Sequence, residues 1–169
     1  MADSQVHAIF SDNKTDITHN EDKENLWTIR FAGILTAYGV GSAFALTSPT
    51  GITYHQITHL RFLATSATAE YEGLLAGLRH ALDQGIEHLH IEADSEILDT
   101  SRSDQLLTGT KGTTYDKEIQ LKCTQFQTCT YKRTLRRNST MIKALARQAP
   151  LRCLLPSGMI RYSQTSPSV

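Results

Sequence analysis

Apolar and polar residues alternate along residues 27–60, which is the pattern of half-buried β-strands. In WTIRFAG, the apolar Ile29 and Phe31 alternate with polar neighbours. GVGSAFALTS follows as a more apolar run, SPTG at 48–51 signals a turn, and ITYHQITHL is a third run of the same kind. This pattern predicts an antiparallel meander of three strands.

The hydrophobic period changes from that of a strand to that of a helix after Leu60. One apolar stripe predicts a helix over residues 68–84, with Thr68 as its N-cap and Gly85 as its stop. HLHIEAD then alternates as a strand that ends at Asp94 and leads into another helix, with Asp94 or Ser95 as its cap. The order β-β-β-α-β-α predicts a mixed α/β domain.

The rest of the chain has a weaker pattern. YDKEIQLKCTQF indicates a helix, QTCTYKRT a strand, and STMIKALARQA a short helix that Pro150 ends. We therefore expect a disordered acidic tail over 1–25 and one domain over 26–149, with its weaker part at 110–149. We expect residues 150–169 to be a C-terminal tail.

Charge is divided unevenly along the chain, although the formal net charge is zero. Residues 1–109 hold 15 acidic and 6 basic residues, a net of −9, and residues 110–169 hold 2 acidic and 11 basic residues, a net of +9. Clustered lysine and arginine favour a polyanionic partner, because they release counterions from phosphate backbones. Ion pairs between the acidic N-terminal part and the basic C-terminal part of the chain explain this uneven distribution of charge equally well.

The composition limits the other classes of protein. No apolar run approaches the ~18 residues that span a bilayer, and the first residues lack the layout of a secretory signal. We expect an intracellular protein of the nucleus or cytoplasm, with no membrane partner. Cys123, Cys129 and Cys153 are odd in number and never spaced C-x-x-C, so neither a disulfide framework nor a zinc knuckle is indicated.

Two carboxylates are the main candidates for chemistry. Glu70 lies in the first turn of the predicted helix, and Asp94 lies where a central strand ends, the usual location of active-site residues in α/β domains. Both lie at the same end of neighbouring elements, so they could hold Mg²⁺ together. A carboxylate at a helix start also serves simply as a partner of the helix dipole.

Two histidine patterns are weaker candidates for metal binding. HQITH at 55–59 imitates the H-E-x-x-H motif, but Gln56 replaces the general base and the segment has a strand pattern. His88, His90, Glu92 and Asp94 alternate with apolar residues on one strand, which is also the pattern of a solvated sheet face.

Three segments resemble type 1 ribonuclease H, especially the compact domains of plant genes and LTR retroelements. WTIRFAGILTAYGVGSAFALTSPTG is similar to the family's first hairpin. ATSATAEYEGLLAGLRHALDQGIEHLHIEADSEIL is similar to its first helix, fourth strand and following helix. FQTCTYKRTLRRNSTMIKALARQA is similar to its last strand, loop and C-terminal helix. The resemblance covers about residues 26–149 and implies a ribonuclease H-like mixed α/β sheet with flanking helices.

The resemblance also implies a catalytic site. In the family, four carboxylates hold two Mg²⁺ ions around the scissile phosphate of an RNA/DNA hybrid, and a histidine in the last loop assists. Glu70 and Asp94 match two of the acids, and we expect them to lie close together with Ala32 beside them. Ala32, Arg133 and Lys143 fall on the positions of the hairpin aspartate, the loop histidine and the last aspartate.

Further positions are expected to contact nucleic acid. The family's T-N-N stretch, which touches the RNA strand, is Thr65-Ser66-Ala67 in this chain, so both of its asparagines are replaced. KRTLRR contributes a basic cluster that could grip phosphates, act as a nuclear localisation signal or form a solvated loop. Its residues are Lys132, Arg133, Arg136 and Arg137.

These substitutions favour a retroelement-derived, catalytically impaired domain that binds an RNA/DNA hybrid or RNA, with weak or absent Mg²⁺ binding. One alternative is an active hybrid ribonuclease whose missing ligands come from Glu92 or Asp99. Another is a module with a protein partner that keeps the fold and has left nucleic acid. Ala32 argues against the first alternative, and the basic C-terminal half argues against the second.

Overall fold

The computed structural model of the chain describes residues 24–98 and 110–169. Its strands are β1 Leu26–Thr36, β2 Gly39–Thr47, β3 Thr53–Leu60, β4 His88–Ala93, β5 Thr128–Arg133 and β6 Ile160–Gln164. Its α-helices are α1 Ser66–Asp83, α2 Thr110–Cys123 and α3 Thr140–Gln148, and 3₁₀ turns lie at Glu96–Leu98 and Arg136–Ser139. None of the described helices is long and apolar enough to cross a membrane.

The six strands form one mixed sheet in the order β5-β4-β1-β2-β3-β6. β1, β2 and β3 are antiparallel neighbours, whereas β4 pairs with β1, β5 with β4 and β6 with β3 in parallel. Helices and strands alternate from β3 onward, as the changes of hydrophobic period indicated. The predicted meander and the mixed α/β class are therefore confirmed.

Helix α1 begins earlier than its apolar stripe. Thr65 has an extended backbone, and its side chain accepts a hydrogen bond from the backbone N–H of Thr68, which makes Thr65 the N-cap. The prediction of Thr68 as the N-cap was wrong, because Thr68 already lies inside the helix and donates to the cap. Gly85, at φ +72°, follows the last turn in the left-handed conformation that suits glycine.

Two layers of helices cover the two faces of the sheet. Phe31 of β1 packs in the core shared with α1 and α2, and its neighbour Ala32 packs with Ile142 and Leu145 of α3 on the opposite face. Gly33 allows the start of α1 to approach β1 closely, since a Cβ at that position would overlap the backbone nitrogen of Glu70. The alternation of β1 therefore decides which side chains meet which helix.

Strand β6 lies inside the segment for which the sequence indicated a tail. Its main chain pairs with β3 over Gln56–Leu60, and the Arg61 N–H donates to the Gln164 carbonyl at 2.7 Å. Most side chains of this edge strand are exposed, so pairing depends on the main chain and leaves little apolar period in the sequence. The sheet thus continues past residue 149. Most of the expected acidic tail, residues 1–23, lies outside the described residues.

Candidate functional site

Glu70 lies in the first turns of α1, where the absence of a side chain at Gly33 brings the helix onto β1. Its Oε2 accepts a hydrogen bond from Ser95 Oγ at 2.5 Å. Ser95 is buried directly after the end of β4, and its Oγ also accepts from the Ile97 N–H at 3.2 Å. From the sequence, Ser95 was expected only as one of two possible caps of the helix after β4, and its contact with Glu70 was not predicted.

Asp94 makes an ion pair with helix α3. Lys143 Nζ lies 2.5 Å from Asp94 Oδ2, and the two side chains are 29% and 11% exposed. Lys143 projects from the first turns of α3, next to Ile142, which packs on the sheet beneath. The lysine that the resemblance sets at the position of the family's last aspartate thus contacts the strand-end aspartate directly.

Burial and neighbouring charges act on the Glu70 carboxyl. Burial raises the pKa of Glu70 above its usual range, and the negative charge of Asp94 raises it further. The hydrogen bond from Ser95 and the ammonium of Lys143 act in the opposite direction. Glu70 and Asp94 thus form one electrostatic cluster with Ser95 and Lys143.

Ala32 lies beside this cluster on the α3 side of the sheet. The parallel β1–β4 register ends at the pair Arg30–Glu92, two residues before Ala32 and two residues before Asp94. Its side chain does not point into the layer of α1, which carries Glu70. Its methyl group offers no lone pair to a cation or a proton.

The described residues do not fit a two-magnesium centre. The Asp94 carboxylate forms an ion pair with Lys143, and the Glu70 carboxylate accepts a hydrogen bond from Ser95. Ala32 supplies no ligand atom. Within residues 24–98 and 110–169, no group of three or more His, Cys, Asp or Glu side chains could hold a metal ion. Glu92, one proposed replacement, accepts from Arg30 at 2.8 Å, and Asp99, the other, lies outside the described residues.

The histidine patterns are part of the sheet. His88 and His90 each share a hydrogen bond through Nδ1 with a threonine hydroxyl of β5, at 2.9 and 2.7 Å. His55 and His59 lie in β3, and burial lowers the pKa of both. The H-E-x-x-H motif places its histidines on a helix, so HQITH on a strand does not reproduce it.

The basic cluster begins at the end of β5 and continues through the following 3₁₀ turn to the start of α3. Its side chains are exposed, and Arg133 lies 3.7 Å from Glu96. Thr65 and Ser66 are exposed at the N-terminus of α1. These residues surround the end of the sheet at which Asp94 lies, and their contacts with nucleic acid remain a prediction.

The sequence comparisons identify a family. Residues 36–149 match the reverse transcriptase-like family, and this range is more than half of the chain. The chain therefore belongs to the reverse transcriptase-like family, which is ribonuclease H-like. The matched range contains Glu70, Asp94 and Lys143 and begins after Ala32. No curated protein is similar enough to the chain to count as a match.

Solved structures share the fold. Ribonuclease H1 from Halobacterium salinarum aligns with a TM-score of 0.64 at 20% identity, over 73% of this chain and 96% of that chain. LC11 ribonuclease H1, solved in complex with an RNA/DNA hybrid, aligns with a TM-score of 0.60 at 16% identity, over 72% and 94%. The foamy viral protease-reverse transcriptase, also solved with an RNA/DNA hybrid, aligns with a TM-score of 0.56 at 12% identity. The alignment covers 85% of this chain and 22% of that chain. The predicted ribonuclease H-like fold is confirmed.

Proposed function

We propose that the chain is a retroelement-type, ribonuclease H-like domain that binds nucleic acid and whose hydrolytic centre is impaired. The observation that carries the proposal is the ion pair between Lys143 and Asp94 at 2.5 Å. In the family, the strand-end acid is a metal ligand, and here a fixed ammonium neutralises it. Ala32, which the resemblance sets at the position of the hairpin aspartate, has no ligand atom, so the site offers fewer oxygen ligands than a divalent cation takes.

Electrostatics indicates the size of this effect. Two like unit charges 4 Å apart near a protein surface repel by about 4 kcal/mol, and a divalent ion carries two such charges. Mg²⁺ would therefore have to displace the Lys143 ammonium from Asp94 before binding. The remaining carboxylate, Glu70, already accepts a hydrogen bond from Ser95 through Oε2.

The basic cluster supports nucleic-acid binding. Its side chains are exposed, and Arg133 lies 3.7 Å from Glu96, two residues after Asp94 at the end of the sheet. Two proteins with this fold were solved with an RNA/DNA hybrid, and we propose the same class of ligand here. Binding through exposed lysine and arginine depends on counterion release, so its affinity should fall steeply as salt rises.

One experiment separates the functions. A labelled RNA/DNA hybrid is incubated with the protein and Mg²⁺ to follow cleavage, and its binding is followed by fluorescence anisotropy at several salt concentrations. We expect salt-sensitive binding with absent or very weak cleavage. Magnesium-dependent cleavage that Glu70→Gln abolishes would overturn the impaired centre, and no salt-sensitive binding to any nucleic acid would favour a protein-interaction module.

A further inference from the structure

A groove of about 440 Å³ lies between α3 and the strands that α3 packs against. Across the sheet, Arg30 of β1 pairs with Ala45 of β2, and Ala45 pairs with His55 of β3. The short side chain of Ala45 between two long ones makes this row concave. The volume falls within the roughly 300–1,000 Å³ of small-molecule sites.

The floor of the groove is polar without net charge. Arg30 Nη2 donates to Glu92 Oε2 at 2.8 Å, so the two charges cancel. The hydroxyls of Thr47 and Thr53 share a hydrogen bond of 2.9 Å at one end. Burial lowers the pKa of His55, so near neutral pH its imidazole offers one donor and one acceptor.

The roof of the groove is apolar. Ile142 and Leu145 of α3 line it from above, and Met141, which is 73% exposed, lies at its rim. A flat ligand would thus meet apolar atoms on one side and neutral hydrogen-bonding groups on the other. Free phosphate and other small anions do not suit this surface, because it has no uncompensated positive charge.

The groove adjoins the basic cluster. Asn138 lines it and follows Arg136 and Arg137 directly in the chain, and both arginines are exposed. A strand whose phosphates lie on these arginines would pass the mouth of the groove. Unpaired bases of single strands are commonly bound by stacking on one face and hydrogen bonding at an edge.

We propose that this groove binds an unpaired nucleobase of a nucleic-acid strand held by Arg136 and Arg137. The proposal rests on the proposed nucleic-acid function and adds to it a base-binding subsite on the α3 side of the sheet. The groove selects an uncharged heteroaromatic ring through Arg30, Glu92, His55 and the two threonine hydroxyls. The phosphates stay outside on the basic cluster.

The test uses the chain's three methionines as reporters. The full-length protein is labelled with ¹³C at the methionine methyl groups and titrated with uridine and with adenosine. We expect a saturable ring-current shift of the Met141 methyl signal with little change at Met159, which packs elsewhere on the α3 layer. Ribose 5-phosphate, which lacks a base, should not shift Met141. An unchanged Met141 signal at the solubility limit of both nucleosides would overturn the proposal.

Two variants with a matched control give a second readout. Ala45→Leu fills the concave row and should abolish the Met141 shift. Thr53→Val removes a hydroxyl from the exposed end of the groove and should weaken nucleoside binding about threefold to tenfold. Thr128→Val makes the same change on β5, three strands away from β2 and outside the groove, and should have no effect. If Ala45→Leu does not fold, Thr53→Val decides, and equal binding by Thr53→Val and Thr128→Val contradicts the subsite.

The two proposals fail differently. Nucleosides carry no phosphate, so their binding does not depend on the basic cluster. A Met141 shift without salt-sensitive binding of the hybrid would overturn the proposed function and leave a nucleoside site. Salt-sensitive binding of the hybrid without a Met141 shift would overturn the base subsite alone.

Discussion

Glu70 and Glu72 lie two residues apart on α1, yet their surroundings differ in kind. Glu72 is 1% exposed and accepts hydrogen bonds from Tyr115 Oη at 2.6 Å, Gln164 Nε2 at 2.9 Å, and the N–H and Oγ of Ser168 at 2.7 and 2.5 Å. Its donors are neutral, and three of the four come from a single segment after α3. Glu72 is therefore a structural carboxylate that fixes this segment to α1.

Glu70 belongs to a cluster of charges instead. Glu70 accepts a hydrogen bond from Ser95. The negative charge of Asp94 and the positive charge of Lys143 both act on the pKa of Glu70, in opposite directions. Its pKa is raised chiefly by burial. A buried carboxylate such as Glu72, whose hydrogen-bond donors are all neutral, stabilises the fold. A carboxylate such as Glu70, which lies near other charged side chains, has the surroundings of a functional site.

The largest expected effect comes from rebuilding the Glu70 cluster. Ala32→Asp or Lys143→Asp alone should restore little cleavage of an RNA/DNA hybrid. Ala32→Asp leaves the ammonium of Lys143 on Asp94, and Lys143→Asp leaves Ala32 without a ligand atom. The double variant should exceed either single variant by at least about a hundredfold, since metal-ion catalysis contributes several kcal/mol and needs its ligands together. Cleavage rates with and without Mg²⁺ measure this non-additivity. Equal rates for the double and single variants would contradict the role given to Lys143.

Removing the structural carboxylate should have the next largest effect. Glu72→Ala leaves Tyr115, Gln164 and Ser168 without their shared acceptor inside the protein. We expect the free energy of unfolding, measured by urea titration, to fall by about 3 kcal/mol. Glu87→Ala is the control, because Glu87 is exposed in the loop after α1. A loss below about 0.5 kcal/mol would mean that the Glu72 network does not stabilise the fold.

The contrast between these two glutamates also shows how far the sequence can predict the structure. The strands β1 to β4 and helix α1 follow from local period, because each buries one face along its own length. Strand β6 does not, since an edge strand is held by main-chain pairing with β3. AEYEGLL contains both glutamates in similar local surroundings. The donors to Glu72 from Gln164 and Ser168 lie 92 and 96 residues away, and a local pattern carries no information on them.

The site shows the same limit. The position of Asp94 at a strand end and the resemblance to ribonuclease H were enough to propose that Glu70 and Asp94 lie together. The contact between Lys143 and Asp94 spans 49 residues, and the sequence suggested only that Lys143 replaces an acid. The role of Ser95 depends on the approach of α1 to β1 at Gly33, which is a packing feature rather than a local one.

A smaller effect is expected from Ser168→Ala, which removes one of the two donors that Ser168 gives to Glu72 and keeps its N–H. Loss of a hydrogen bond to a charged group should destabilise the protein by about 1.5 kcal/mol. Hydrogen exchange should rise in β6 and leave β1 and β2 unchanged, because Ser168 anchors the segment that contains β6. Ser163→Ala, an exposed serine within β6, is the control. Equal exchange in both variants would show that β6 does not depend on the Glu72 anchor.

The smallest expected effect is the pH dependence that Glu70 gives to stability. Its pKa is raised in the folded protein by burial and by Asp94, so the folded state favours the protonated carboxyl. Such a group contributes stability that is fully present below its unfolded pKa and is lost as pH rises through the folded pKa. Glu70→Gln keeps a neutral group that can still accept from Ser95, so it should be more stable than the parent near neutral pH. The advantage should vanish below the ordinary pKa of a glutamate. Urea unfolding of both proteins across this pH range measures the difference in the free energy of unfolding. If the stability of Glu70→Gln relative to the parent falls as pH rises, Lys143 and Ser95 outweigh burial at this carboxylate.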